Sequence, residues 1–557
     1  MTGFTAAAAI DFGSYQSGFA WAPLTDTDEG PVPGEIRWRL AWPGQGAVSS
    51  PKTLSALRLA DGDIVAWGDM AVQQPEAGEP GFLRRGFKMD LARATGLVPD
   101  SLGPEELTED EVRPLVVGYL RRLFDAALTH LTGEGHEPDA VRWCLTVPAL
   151  WGEYERQLML RWAVEAGMPG SPERLLLAIE PEVAGLHALA EHEDLNRHGH
   201  RLLVVDAGGG TVDITTLQVQ ADGLAQVGTP VSGGCGSDYV NRLFLERVVS
   251  GIGPVRMYEL ARRHSHVLFR LAEAFETAKR EFDPNNPDDT NVLVPQDVHR
   301  ILPDDIKKAL AERQDGVYYA IVIPRDTMRE LLDHTIDDVL KMVDEQLDEV
   351  GADDLTVVLA GGFGRSTYLR DRLDAHLAGR LPWRAVSQAE LAVLRGAVRF
   401  AADPATFRRR QARTTYGIAR TVPFDPELDP PEKKIEFAFR APLCGDRFEP
   451  LVRAGDIVPY DKVFRVEVAP ALWRRRTFVI PLYATDSPHA PRYVDADGCR
   501  KVATLSVKLP WRMYARPTRL RRFELTVRFG STHLTATATN LITGDEVAVS
   551  AEFDHRW

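Results

Sequence analysis

The chain has 557 residues, 44% of them hydrophobic, and a formal net charge of −15. That length predicts about three to four domains with ample apolar material for buried cores. The acidity argues against nucleic acid as a main partner, and no run approaches the ~18 apolar residues of a membrane helix. Cys144, Cys235, Cys444 and Cys499 are scattered, so they suggest neither a metal cluster nor a disulfide framework and fit a reducing, cytoplasmic setting. The apolar run at 5–10 is short, lacks a basic flank and meets Asp11, which excludes a signal peptide.

Residues 5–24 and 35–68 have the pattern of strands and turns. Within them Ala8-Ala9-Ile10-Asp11-Phe12-Gly13-Ser14-Tyr15-Gln16-Ser17-Gly18 is an apolar strand, an acid at its end, a small-residue turn and a returning strand. Helical spacing follows at 105–131, with Gly133 as C-cap. Next come a buried strand at 141–147 closed by Pro148, and helices at 153–166 and 180–191. A polar loop then runs to His200. His187, His192, His198 and His200 lack metal-ligand regularity, and the last three fit a solvated loop. Trp143, Trp151 and Trp162 have the setting of core residues.

Leu202-Leu203-Val204-Val205-Asp206-Ala207-Gly208-Gly209-Gly210-Thr211-Val212-Asp213-Ile214-Thr215 repeats the opening pattern. Three consecutive glycines weaken a strand pair unless something requires them. Only a residue without Cβ lets the backbone approach a phosphate and take positive φ, and strand-end acids suit a magnesium ion. The duplication therefore suggests a nucleotide held between two similar lobes.

A loop and helix follow at 234–249, and a strong helical pattern at 257–282 is broken by Asp283-Pro284-Asn285-Asn286-Pro287-Asp288. Pro324 opens an amphipathic helix through Val350, whose simplest role is core packing. A strand at 355–359 leads into Ala360-Gly361-Gly362-Phe363-Gly364 and a helix, and 388–402 is the last helix of this style. After Pro404 the composition changes to alternation with many prolines. Short strands at 435–439, 463–468, 477–482, 505–509 and 523–529 suggest an all-β domain of about 140 residues. The basic runs at 408–410, 474–476 and 516–522 fit solvated faces or a linker.

Six segments, in order, resemble the 70-kDa heat-shock (DnaK-type) chaperones within the actin, hexokinase and chaperone ATPase superfamily. Asp11 to Ser17 resembles the first phosphate loop, Glu180-Pro181-Glu182-Val183-Ala184-Gly185 the connecting helix, and Asp206 to Asp213 the second phosphate loop. Phe275-Glu276-Thr277-Ala278-Lys279-Arg280 resembles the adenosine-contact helix of the chaperone branch. Gly361-Gly362-Phe363-Gly364-Arg365 is similar to the adenosine loop, and Leu394-Arg395-Gly396-Ala397 to the closing helix. Phe87-Lys88-Met89 and Arg413-Thr414-Thr415-Tyr416-Gly417-Ile418 look most like the divergent heat-shock 70-kDa protein 12 subfamily.

The resemblance implies an α/β, two-lobed, actin-like (duplicated ribonuclease-H-like) nucleotide-binding domain: lobe I at 1–200 and lobe II at 201–403. The composition change after Pro404 suggests a linker at 404–413 and a smaller all-β domain at 414–557, whose lack of a helical lid departs from the family pattern. The resemblance also implies ATP or ADP with Mg²⁺ as cofactors. Asp11, Glu180 and Asp206 would be catalytic, with Asp11, Asp206 and Asp213 toward the metal and Glu180 orienting water. Gly13, Ser14, Tyr15, Gly208, Gly209, Gly210, Thr211 and Gly236 would contact phosphates. Glu276, Lys279, Arg280, Gly361, Gly362 and Arg365 would frame the adenosine. Partners would be the nucleotide and a protein or peptide client of the β domain, with neither nucleic acid nor membrane.

Three positions depart from the family pattern. Its lysine after Gly68-Asp69-Met70-Ala71 is Val72, which supplies no cation for transition-state charge. Losing one such contact typically lowers rate by ~10²–10³. Lys52 or Lys88 would be the replacement, although Lys88 also fits an ordinary surface position. Asp283 stands for a serine, and Phe363 for a small residue. The expectations are then a slowly hydrolysing, ATP-binding chaperone-like protein, a non-hydrolysing nucleotide-gated scaffold, a small-molecule kinase, or an actin-like filament. Glu276 to Arg280 and the β domain count against the last two.

Overall fold

Ala6–Asp11 forms a strand in which every residue is buried. It pairs antiparallel with Gln16–Thr27 and parallel with Val141–Val147, which pairs parallel with Leu175–Ile179. Near-continuous apolar strands of this kind belong to sheets covered on both faces. A second sheet repeats the plan. Arg201–Ala207 is antiparallel to Val212–Gln220 and parallel to Leu355–Ala360, which is parallel to Trp383–Ala385. In both sheets the central strand runs into an acid, Asp11 or Asp206, just ahead of a tight turn.

The computed structural model describes residues 3–553 apart from 28–29, 47–48, 74–80, 96–106, 254–263, 265, 413, 438–439, 460–461, 469–476, 488, 510–521 and 530–533. The chain divides into two units. One comprises Met1–Trp151, Leu160–Ala221 and Pro230–Pro404, and the other Gly152–Met159, Asp222–Thr229 and Ala405–Trp557. It is thus a mixed α/β protein with several sheets.

In the first unit, helices Glu180–Glu191 and Ala392–Ala402 pack on each other. Helix Arg325–Val350 begins directly after Pro324 and buries Met328, Leu332, Ile336, Val339 and Val343 on one stripe. With Phe244, Phe275 and Leu359 these residues belong to one apolar core. Helix Glu109–Gly133 is fixed at its start by the Glu111 carboxylate, which accepts the Thr108 N–H at 2.8 Å. The expected start of that helix at 105–106, and residues 257–263 of the next long pattern, lie outside the described residues; helix His266–Glu281 is described. Trp143, Trp151 and Trp162 are buried.

Two differences from the sequence expectation stand out in this unit. Residues 290–323, left without assignment, form the hairpin Thr290–Leu293 with Ala320–Ile323, and helices Gln296–Ile301 and Asp304–Arg313 lie between its strands. His200 is not solvated: only 2% of it is exposed, and its Nδ1 lies 3.0 Å from Asp354 Oδ1.

In the second unit one antiparallel sheet has nine strands. Its order is Lys434–Phe437, Arg440–Val452, Thr415–Pro423, Thr477–Thr485, Cys499–Lys508, Glu546–Phe553, Leu534–Asn540, Phe523–Phe529 and Val463–Val468. Alternate residues such as Phe478, Ile480 and Leu482, or Leu505 and Val507, fill its core. The stretch expected as a linker contains a strand, Phe407–Gln411, paired antiparallel with Ile457–Pro459. Arginines 474–476 and most of the basic run at 516–522 lie outside the described residues.

Candidate functional site

Two glycine turns face each other in the first unit. In the first, a Cβ on Gly13 would stand 2.2 Å from the Gln16 carbonyl oxygen, so only glycine closes this turn. Ser55 Oγ donates to the Gly13 carbonyl at 2.6 Å and holds it from behind. In the second, Gly208 N–H donates to the Thr211 carbonyl at 3.0 Å. Added Cβ atoms on Gly209 and Gly210 would meet Tyr15 Cβ at 2.7 Å and Ser14 Cβ at 2.8 Å. The absent side chains are what let the turns approach.

A pocket of about 750 Å³, counting its open mouth, lies at these turns. Of the residues singled out from sequence, Asp11, Gly13, Ser14, Tyr15, Glu180, Asp206, Gly208, Gly209, Gly210, Thr211, Glu276, Arg280, Gly361 and Gly362 line it. Four others do not line it. Asp213 is 1% exposed, and its carboxylate accepts from Ala149 N–H at 3.0 Å and Thr211 Oγ1 at 2.8 Å, so it orders the second turn. Gly236 packs under that turn, where a Cβ would meet the Gly209 carbonyl oxygen at 2.3 Å. Lys279 is 2% exposed and pairs with Glu276 Oε2 at 2.6 Å while donating to the Ser237 carbonyl at 2.8 Å. Arg365 reaches Glu390, a lining residue, at 3.2 Å.

Charge is concentrated at the turns. Lys52 Nζ lies 2.5 Å from Asp11 Oδ2, and Lys88 Nζ lies 2.7 Å from Glu180 Oε1. Burial pushes the Asp11 carboxyl up, but the Lys52 and Lys88 ammoniums outweigh it and hold the group below its ordinary range. Burial raises Glu180 to about 7 against the pull of Lys88, with Asp11 and Asp213 adding to the rise. Burial also lifts Asp206 well above the usual carboxylate range, helped by the charges of Glu180, Asp213 and Asp11. At the other group of lining residues, burial of Glu276 is outweighed by Lys279 and Arg280, and its carboxyl is held low.

Lys88 is 3% exposed, so the surface reading of that residue does not hold. Val72 packs against the apolar cluster of Leu54, Ala56, Ala71 and Phe269. Phe363 is buried and lines the pocket, whereas Asp283 turns its carboxylate to the Asn285 N–H at 2.8 Å in an exposed loop. Gln16, Ser237, Glu390 and Val393 also line the pocket and were not singled out from sequence. Gln16 belongs to the first turn segment and Ser237 directly follows Gly236, which is the signal the sequence carries for them. Glu390 and Val393 carry none.

A family model described as a domain of unknown function (DUF8340) matches residues 196–353. The chain is 26% identical to heat shock 70 kDa protein 12B of Homo sapiens, over 99% of this chain and 91% of that protein. It is 23% identical to heat shock 70 kDa protein 12A of Homo sapiens, over 99% and 92% of the two chains. With chaperone protein dnaK1 of Prochlorococcus marinus (strain MIT 9313) it shares 31% identity over 53% of this chain and 40% of that one. Among the described residues no helix is long and apolar enough to cross a membrane.

Proposed function

We propose that this chain, a divergent member of the 70-kDa heat-shock family, is an ATP-binding, slowly ATP-hydrolysing chaperone-like protein. Its nucleotide state would bias closure of the two-lobed nucleotide-binding domain and, through it, a C-terminal β domain that engages a protein or peptide client. The observation that carries this reading is the convergence on one pocket of both glycine turns, Glu180, Glu276, Arg280 and Gly361-Gly362. In that reading the turns and Ser14 cradle the phosphates, Glu276 and Arg280 frame the adenosine, and Glu180 orients water. Phosphoryl transfer asks mainly for such positioning and charge neutralisation.

A magnesium ion suits the acids of the pocket. Burial raises the proton affinity of the Asp206 carboxylate, the charges of Glu180, Asp213 and Asp11 add to the rise, and a cation relieves that. No group of three or more His, Cys, Asp or Glu is gathered as a metal cluster among the described residues. Asp11 and Asp206 would therefore share the ion with phosphate and water, as magnesium prefers. Once bound, it would neutralise phosphate charge.

Val72 favours a second reading, a nucleotide-gated scaffold without hydrolysis, because it lies in an apolar cluster and brings no charge. Calorimetry of ATP and ADP with Mg²⁺, alongside single-turnover hydrolysis, on wild type and Asp206→Ala separates the two. Tight binding with turnover that the substitution abolishes supports the ATPase. Tight binding without turnover supports the scaffold, and no binding by wild type overturns both.

A further inference from the structure

Lys88 is the second residue of helix Phe87–Ala94, which starts after Gly86 in the left-handed region at φ 76°. Its ammonium lies 5.7 Å from the centre of the Phe12 ring and 5.8 Å from that of Trp151, besides its contact with Glu180. Met89 fixes where this helix start sits. A Cβ on Gly210 would stand 3.1 Å from Met89 Sδ and 2.8 Å from Ser14 Cβ. Lys88 itself lines the pocket together with both glycine turns. It is also the more enclosed of the two turn-side lysines, its side chain 3% exposed against 12% for Lys52.

The charges in the wall sharpen the point. Asp11, Glu180, Asp206, Glu276 and Glu390 face Lys52, Lys88 and Arg280. A phosphate chain entering that field needs every cation it can reach, and an ammonium with three donors can keep Glu180 as one partner while taking an anion as another. Position 72, where the family pattern has its lysine, points valine into the Leu54, Ala56, Ala71 and Phe269 cluster.

We propose that Lys88 is the phosphate-contacting cation of this pocket, supplied from helix Phe87–Ala94 in place of position 72, and that it shares its protons between Glu180 and the phosphate chain of a bound nucleotide. The inference rests on the nucleotide reading above. No covalent step is involved: the ammonium keeps its three N–H groups and redistributes them when the phosphates arrive.

The test titrates ATP and adenosine separately into wild type, Lys88→Met and Lys88→Met/Glu180→Gln by calorimetry. The double variant removes both buried charges, so it tests the proposal even if the unpaired Glu180 unfolds the single one. Both variants are expected to lose about ten- to a hundred-fold in ATP affinity while adenosine affinity stays within about two-fold. ATP affinity unchanged within about two-fold overturns the proposal. Equal losses for ATP and adenosine also overturn it, making Lys88 a counter-ion for Glu180 alone. Wild type that binds neither ligand removes the nucleotide reading itself, a result distinct from either variant outcome.

Discussion

Gly396 meets Val183 where helices Glu180–Glu191 and Ala392–Ala402 cross, and a Cβ on Gly396 would stand 1.8 Å from the Val183 carbonyl oxygen. Backbone cannot move aside as a side chain can, so Gly396→Ala forces the helices apart. The expected loss is about 1–3 kcal/mol or more, the range for overpacking a close contact. Gly185→Ala offers the contrast, because its Cβ would meet the side chains of Leu217 at 2.6 Å and Val204 at 2.9 Å. Urea denaturation should rank Gly396→Ala as the more damaging. The reverse order would contradict this crossing.

The same glycine shows what the sequence could reveal. Gly396 was legible as part of a short motif, but nothing in the chain says that its neighbour is Val183. The Asp-and-glycine turns were legible because strand, acid and glycine are local signals, and so was the break after helix His266–Glu281, where prolines crowd. Lys88 and Glu180 were not paired in advance, since 92 positions separate them and the pairing arises only when helix Phe87–Ala94 docks. His200 was misjudged for a related reason: a polar loop hides a side chain when a distant acid, here Asp354, provides its partner.

Glu180 makes the nucleotide-free protein sensitive to pH. Burial raises its carboxyl from 4.5 to about 7 despite Lys88, with Asp11 and Asp213 reinforcing the rise. A folded-state value above the unfolded one means the folded protein holds this proton more tightly. The group's stabilisation is therefore full below its ordinary range and is lost as pH rises through about 7. Glu180→Gln should flatten the fall in stability between about pH 5 and 8, measured by denaturation at each pH. Parallel curves for variant and wild type would contradict the buried, proton-holding Glu180.

Val72 bears on whether the family's lysine could simply be restored. It is partly buried against Leu54, Ala56, Ala71 and Phe269, and a lysine there trades apolar contact for a charge that must reach past these side chains to water. Val72→Lys is expected to lower the unfolding midpoint modestly, by about 1 kcal/mol for the lost apolar contact. Turnover measured on the same sample should not rise. A variant with unchanged stability and faster hydrolysis would show that the cluster readily admits the lysine.

In the second unit, stability at neutral pH should depend on Asp429, and that dependence should fade in acid. Its Oδ1 accepts from Tyr493 OH at 2.7 Å, Arg447 at 2.9 Å and Arg492 at 2.9 Å, while Oδ2 accepts from Asp425 N–H at 2.9 Å. The backbone bond from Asp425 and the Tyr493 hydroxyl hold its carboxyl well below the usual range, with Arg492 and Arg447 adding to them. Here the sign is opposite to that of Glu180. A depressed folded-state value stabilises above the ordinary carboxylate range, and the stabilisation is lost as pH falls. Asp429→Asn keeps the shape but removes the charge from two arginines, so it should weaken the protein at neutral pH and leave the two proteins nearly equal in acid. Circular dichroism of the full chain across an acid titration checks this. A variant that tracks wild type at pH 7 would mean the four donors around Asp429 hold nothing that water does not hold equally well.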